Sequence, residues 1–201
     1  MPFAAPPIHI ETEALVTFAQ QQVGQLRSTA LNLTWEQATA TPLPSSLSIA
    51  GLVAHSVQVI HGWLAAAQRA PEVIPLEEYA HITAGTGLPE GSFSGCEVPE
   101  GLSLERLLGL LDDRVDELAE VIPGLDLDLE FPNPAPQYMP AESYSNRWAV
   151  NHIITEIARH AGHADLIRQA IDGATAYELN FYADGGTPEQ WAEQAAVWGI
   201  E

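Results

Sequence analysis

The chain has 201 residues, 46% of them apolar, which is enough for one folded domain with a sizeable core. All seven basic residues are arginines, and 27 acidic residues bring the net charge to −20. Such an acidic surface repels phosphate backbones and anionic lipids, and no apolar run approaches the roughly 20 residues that span a bilayer, so we expect no nucleic-acid or membrane partner. The N-terminus lacks signal-peptide features and the single cysteine, Cys96, excludes an intrachain disulfide, so a cytoplasmic protein is expected.

Four amphipathic helices are predicted, because apolar residues recur at helical spacing in four segments separated by turn residues. In chain order these segments cover about 11–31, 47–69, 103–121 and 146–172. Several helix ends carry the expected signals. Pro71 follows the second helix, Ser103 can cap the start of the third, and Gly173 can end the fourth in a left-handed conformation.

Two connections between these helices are long, at 70–102 and 123–145, and neither contains a convincing pair of alternating strands. This pattern predicts an all-α fold, a four-helix bundle with long crossover loops that can leave a site between helices. A fifth, shorter helix is predicted to begin at Thr187. We therefore expect a bundle over 1–173 and a short C-terminal helical extension over 174–201, packed on the same domain.

The fourth predicted helix carries four ionisable groups on the stripe that should face the core. With about 100° of rotation per residue and Glu156 at zero, His160 falls near +40°, His152 near −40° and His163 near −20°. Burying an unpaired charge costs more than a marginally stable fold can lose, so these groups need partners. A metal ion satisfies several of them together, and Glu156 and His160, four residues apart, lie one above the other as two ligands.

A third ligand is expected from the second predicted helix, where His55 shares the core-facing stripe with apolar residues. Two simpler interpretations stay open at this point. His55 could be a hydrogen-bonded core histidine, and Glu156 and His160 could form a buried hydrogen bond without an ion. The inward clustering of all these groups favours the metal site.

Other polar residues are given minor roles. His61 falls away from the core-facing stripe of the second helix. Cys96 lies in a loop without basic or histidine neighbours, so we interpret Cys96 as a thiol without a special role. The remaining charged residues of the fourth helix are expected to form surface ion pairs, each worth little. They are Arg159, Asp165, Arg168 and Asp172.

Two segments carry a resemblance to a known family. LSIAGLVAHSVQVIHGWL (47–64) and NHIITEIARHAGHADLIRQAIDG (151–173) resemble the DinB-like (YfiT-like) metalloenzyme superfamily. They are most similar to its branch of mycothiol-dependent maleylpyruvate isomerases and mycothiol S-transferases. The resemblance covers about 11–173. It implies a four-helix bundle and a divalent metal held by a histidine of the second helix and an E-x-x-x-H pair of the last, which here are His55, Glu156 and His160.

The resemblance also implies a chemistry. The protein is expected to be a divalent-metal-dependent transferase or isomerase that uses a low-molecular-weight thiol such as mycothiol. A metal-bound thiolate would attack a small electrophilic substrate, because the thiolate is the nucleophilic form of a thiol. Zinc is the expected metal, and nickel or iron would fit the same ligand set.

Further residues are assigned to this chemistry. His163 and His152 are expected to act as catalytic residues that move a proton or orient the carboxylate ligand. Tyr138, Tyr144 and Arg147 are expected to shape the cofactor-binding pocket, with Arg147 meeting a substrate carboxylate.

A second class of function is kept as an alternative. The chain could be a non-catalytic metal-binding or stress-response module whose metal is structural or absent. Hydrolysis by a metal-bound water is a third hypothesis, and it would appear as activity that needs no thiol. The resemblance also allows a homodimer.

Overall fold

Eight α-helices and one short strand pair make up the part of the chain that the computed structural model describes, residues 4–89, 96–98, 100–134 and 139–199. In chain order the helices are α1 (Glu11–Ser28), α2 (Trp35–Thr39), α3 (Ile49–Arg69), α4 (Tyr79–Gly85), α5 (Leu104–Val121), α6 (Asn146–Asp172), α7 (Ala176–Ala183) and α8 (Pro188–Trp198). Between α5 and α6, β1 (Glu130–Pro132) pairs antiparallel with β2 (Ser143–Ser145). The prediction of an all-α fold is confirmed.

The four long helices, α1, α3, α5 and α6, form a bundle in which each packs against two neighbours. The order around the bundle is α1, α6, α3, α5, so α1 lies diagonally across from α3, and α5 from α6. The connections through α2 and through the strand pair therefore join opposite corners, whereas the connection through α4 joins neighbours. As a result α3 and α6, which carry the residues of the expected metal site, lie against each other.

The core consists of aliphatic side chains from all four long helices, and Leu26, Leu52, Leu111 and Ile157 are among those that are fully buried. Among the described residues, α3 alone has the length and apolar composition that could also suit a membrane span. Because 61% of its most apolar window is buried in the bundle, this composition is the one that a central bundle helix requires.

The helix ends follow the capping signals of the sequence. The Ser103 hydroxyl accepts a hydrogen bond from the Arg106 amide at the start of α5, and Ser48 and Ser145 do the same for α3 and α6. α6 ends where Gly173 adopts φ +84°, a conformation that costs a residue with a side chain more than it costs glycine. Such caps fix where each helix starts and hence which side chains share a turn.

The strand pair corrects the expectation that neither long connection forms one. Phe131 of β1 lies opposite Tyr144 of β2, and both side chains are buried against α3 and the start of α6. Three residues per strand are too few to show an alternating pattern, so the pair depends on this tertiary packing. The short helices α2, α4 and α7 were also not predicted.

Arg168 of α6 is buried, which corrects its assignment to a surface ion pair. Its Nη1 donates to the carbonyl oxygens of Thr29 and Leu31 at 2.8 and 2.7 Å, and its Nε donates to Asp172 at 2.9 Å. These carbonyls follow the end of α1, where a helix leaves acceptors without partners. Arg168 therefore ties the C-terminal part of α6 to the end of α1.

His61 of α3 points away from the expected metal site, as predicted, and reaches α5. Its Nδ1 lies 2.7 Å from Oε1 of Glu117, whose other oxygen lies 2.8 Å from Nη1 of the buried Arg114. This three-residue group links the second and third long helices on a face of α3 distinct from that of His55.

The segment after α6 contacts the bundle through α7. Leu179 and Asn180 are buried, and Asn180 exchanges side-chain hydrogen bonds with Gln25 of α1 at 2.6 and 2.7 Å. α8 begins with the capping box predicted at Thr187, and it has no buried residue among those described. The last helix therefore lies at the periphery.

Candidate metal centre

His55, Glu156 and His160 converge between α3 and α6. Nε2 of His55 lies 3.5 Å from Oε1 of Glu156, and Nε2 of His160 lies 3.2 Å from the same oxygen. The two imidazole rings meet edge to face with their centres 4.8 Å apart. Two ring nitrogens, one from each helix, thus approach the same carboxylate oxygen.

These separations suit a shared cation. Nitrogen and oxygen ligands of a tetrahedral zinc ion lie about 2.0–2.1 Å from the metal, which puts them about 3.3 Å from each other. Side-chain exposure falls from 29% at Glu156 to 21% at His55 and 11% at His160, so the cluster opens towards solvent on one side. A partly open position of this kind could admit a small ligand.

The electrostatics favour the protonation states that metal ligands need. Burial raises the pKa of Glu156, but the charge of His160 and the hydrogen bond with His55 together lower that pKa below its ordinary value. Burial, and next the nearby His55, lowers the pKa of His160. At neutral pH the carboxylate is therefore ionised and the His160 imidazole is neutral, ready to offer a lone pair.

His163 lies beside this cluster. Its ring centre is 5.8 Å from that of His160, and the Nδ1 atoms of both rings are buried without a hydrogen-bond partner in the described part of the chain. Buried polar atoms without partners are costly, so a pair of them in one place points to a ligand, ion or water that completes the site.

His152 belongs to an aromatic cluster at the other end of the site. Its ring stacks on Trp148 at 4.8 Å and meets Trp63 edge to face at 5.1 Å. Burial lowers the pKa of His152, although the charge of Glu156 acts in the opposite direction. His152 is thus a neutral group at neutral pH, close enough to Glu156 to feel its charge.

The two residues expected to bind the cofactor have different surroundings. Tyr144 is buried in the aromatic cluster, with its ring centre 4.1 Å from that of Trp148. Arg147 is instead bound at the surface by Glu11 and by Asp128, whose Oδ1 lies 2.8 Å from Nη2, and these carboxylates raise the pKa of the guanidinium. The structure does not bring Arg147 into the ligand cluster. Tyr138 lies outside the described residues.

Cys96 is the residue of this site that sequence analysis missed. Its sulfur and one ring nitrogen from each of His55 and His160 all lie within 4.8 Å of one another. Burial, and next the charge of Glu156, raises the pKa of the thiol. No periodic pattern marks a loop residue that folds back onto a helix more than 40 positions earlier, so the sequence offered no signal for this contact.

Comparison with known proteins connects this geometry with a family. The family model described as mycothiol-S-transferase matches residues 14–173, a stretch that runs from α1 to the end of α6 and contains every residue of the cluster. No protein of curated function matches the chain.

Proposed function

Because the chain belongs to the mycothiol-S-transferase family, we propose that it transfers a low-molecular-weight thiol of the mycothiol type to a small electrophile with the help of a divalent metal. The observation that carries this proposal is the approach of two imidazole nitrogens to one oxygen of Glu156, at 3.5 and 3.2 Å. Two imidazoles and a carboxylate form a donor set typical of catalytic zinc sites.

His55, Glu156 and His160 would hold the metal. When bound, a divalent cation supplies the positive charge that keeps a thiol ionised at neutral pH, and the thiolate is the nucleophilic form. Zinc fits these donors, and nickel or iron(II) would also be accepted by two imidazoles and one carboxylate.

His163 would accept a proton, and His152 would line the substrate pocket. The Nδ1 atom of His163 is buried without a partner among the described residues, so it is placed to accept the proton that a bound thiol gives up. His152, held neutral between Trp148 and Trp63, would line the apolar wall on which an electrophile could lie. Tyr144 supports the same wall from behind.

The remaining expectations belong to the same proposal. We infer that 1–173 form the catalytic bundle and that 174–201 form an extension of the same domain, an assignment supported by the hydrogen bonds between Asn180 and Gln25. A cytoplasmic location suits an enzyme that uses a reduced thiol, because that compartment keeps thiols reduced. A homodimer is the assembly that the resemblance leads us to expect.

Metal binding and thiol transfer can be tested on one set of variants. Protein purified without a histidine tag is depleted of metal, reloaded with zinc, and mixed with mycothiol and monochlorobimane. We expect one zinc per chain and thiol-dependent turnover. Glu156→Ala should lower both zinc affinity and turnover by more than about 100-fold, since losing even an outer partner of a metal ligand costs about 10–100-fold.

His81→Ala is the matched control, because His81 is exposed on α4. It should behave like the unmodified protein. Equal zinc binding by the Glu156 and His81 variants would exclude the metal site. Stoichiometric zinc without turnover would favour the non-catalytic module, and turnover without thiol would indicate hydrolysis.

A further inference from the structure

Cys96 brings a fourth potential ligand to the cluster. Its sulfur lies within 4.8 Å of ring nitrogens of both His55 and His160, and these nitrogens lie within the same distance of each other. His160 is only 9% exposed when its backbone is included, and its Nδ1 has no partner among the described residues. The thiol thus approaches the same two imidazoles that contact Glu156, at a site whose buried nitrogens are not all satisfied by the protein.

A close approach of the chain to α3 holds Cys96 there. A Cβ atom added to Gly51 would lie 2.0 Å from the carbonyl oxygen of Cys96 and 3.0 Å from its carbonyl carbon. Real side chains do not tolerate such distances. Gly51 precedes His55 by four residues, so the two lie on the same face of α3. The missing side chain at Gly51 is therefore what lets the backbone of Cys96 rest directly beside His55.

We infer that Cys96 is a displaceable fourth protein ligand, which occupies the position that the thiol substrate must take. This inference rests on the proposed function, because it requires the ion held by His55, Glu156 and His160. In a tetrahedral zinc site with Zn–S near 2.3 Å and Zn–N near 2.0–2.1 Å, sulfur and nitrogen are about 3.5 Å apart, so a shift on the order of 1 Å would bring the Cys96 sulfur to this distance from the two ring nitrogens.

Four protein ligands close a zinc site, whereas catalysis needs an open position. Cys96 must therefore give up its place when a low-molecular-weight thiol enters. The exchange is balanced: the incoming thiol gives up its proton, by way of His163, as its sulfur becomes a ligand, and the Cys96 sulfur takes up that proton as it leaves. No oxidant or reductant is needed. A thiol can drive this exchange because it replaces sulfur with sulfur, whereas water offers a harder donor.

Cobalt(II) in place of zinc makes this ligand visible, because a thiolate bound to cobalt gives a charge-transfer band in the near ultraviolet. The chain contains one cysteine, so a band in the absence of added thiol identifies Cys96. We expect this band in the unmodified protein and its absence in Cys96→Ser, which should still take up one cobalt per chain. Added mycothiol should then produce a thiolate band in Cys96→Ser, because the position is open.

A pair of glycine variants tests whether the band depends on where Cys96 lies as well as on its thiol group. Gly51→Ala keeps the thiol but should weaken or abolish the band, because the new methyl group displaces the Cys96 backbone. Gly62→Ala on the same helix should keep it, since a Cβ at that position meets nothing within 4 Å. Circular dichroism checks that each variant is folded.

The outcomes distinguish this inference from the proposed function. Stoichiometric cobalt without a thiolate band in the unmodified protein would overturn the role of Cys96 and leave the three-residue metal site intact. If neither the unmodified protein nor any of the variants bound cobalt, both the role of Cys96 and the proposed metal-dependent function would be overturned. A band that persists equally in Gly51→Ala would contradict the part assigned to Gly51.

Discussion

Replacing Arg168 with alanine should destabilise the fold without touching the metal ligands. Arg168 donates to the carbonyl oxygens of Thr29 and Leu31, and Thr29 is completely buried. A buried acceptor left without a partner costs about 1–3 kcal/mol, and hydrogen bonds to a charged group contribute about 1.5–3 kcal/mol. Once Arg168 is removed, water can solvate the carboxylate of Asp172, because that side chain is 34% exposed. The loss of this ion pair therefore adds little to the destabilisation.

Because these contributions are not additive, we expect a loss of about 3–4 kcal/mol, which is a large part of the roughly 5–15 kcal/mol that stabilises a typical domain. The melting temperature should fall by about 10 °C, since 1 kcal/mol corresponds to about 2–4 °C in a chain of this size. The assay is urea unfolding followed by far-ultraviolet circular dichroism, with a chelator present to remove any contribution of bound metal.

Arg159→Ala is the control, because Arg159 is exposed on the same helix and the change in helix propensity is identical. It should change the free energy of unfolding by no more than about 0.5 kcal/mol. Arg168→Lys should be intermediate, since an ammonium group cannot reproduce the planar fork of donors. If the free energies of unfolding of Arg168→Ala and Arg159→Ala differed by less than about 1 kcal/mol, the hydrogen bonds between Arg168 and the end of α1 would not stabilise the fold as argued.

Three further outcomes are expected. Burial raises the pKa of Asp165 from 3.8 to about 6, so the folded state binds the proton more tightly and the ionised carboxylate opposes folding above that range. Asp165→Asn should therefore stabilise the protein at pH 7 by about 1 kcal/mol, discounted because the side chain is only half-buried, and the gain should vanish near pH 4 in urea titrations. Glu117→Gln should cost about 3 kcal/mol because it breaks a mostly buried ion pair, whereas the exposed Glu120→Gln on the same helix should be near neutral. Zinc at 100 times its dissociation constant should stabilise the fold by about 2.7 kcal/mol, seen as a higher melting temperature that a chelator reverses and that Glu156→Ala does not show.

Each of these three measurements can contradict its premise. An Asp165→Asn gain that is the same at pH 4 and pH 7 would mean that the carboxyl group does not titrate as described. Equal losses of stability in Glu117→Gln and Glu120→Gln would mean that Glu117 does not stabilise the packing of α3 against α5. A zinc effect that survives Glu156→Ala would place the ion elsewhere.

Local sequence signals were sufficient to predict the bundle. Three of the four long helices, α3, α5 and α6, begin or end at a residue whose effect is local, such as Ser103 at the start of α5 and Gly173 after α6. These segments could therefore be predicted one at a time, and α1 was predicted from its apolar spacing alone. The location of Glu156 and His160 on the same face of α6 also follows from helical periodicity alone. The choice of His55 needed one more step, the assumption that two apolar stripes pack against each other.

The residues that were misread depend on contacts between distant segments. Arg168 falls off the core-facing stripe calculated for an isolated helix, but the end of α1 covers that face and supplies the carbonyls that it binds. Cys96 reaches the site through a backbone contact with Gly51 that no periodicity describes. The expectation that Arg147 meets a substrate carboxylate stays a prediction; in this structure Arg147 contacts Glu11 and Asp128.

The position of Glu156 and His160 along α6 limits how this protein can vary. Trp148, fixed in the aromatic cluster, comes eight positions before Glu156, and Arg168, fixed to α1, comes eight positions after His160. Inserting or deleting one residue between these two anchors would turn one part of the helix by about 100° relative to the other. Descendants of this chain can therefore exchange side chains around the pocket and lengthen their loops, while the length of this one helical stretch stays fixed.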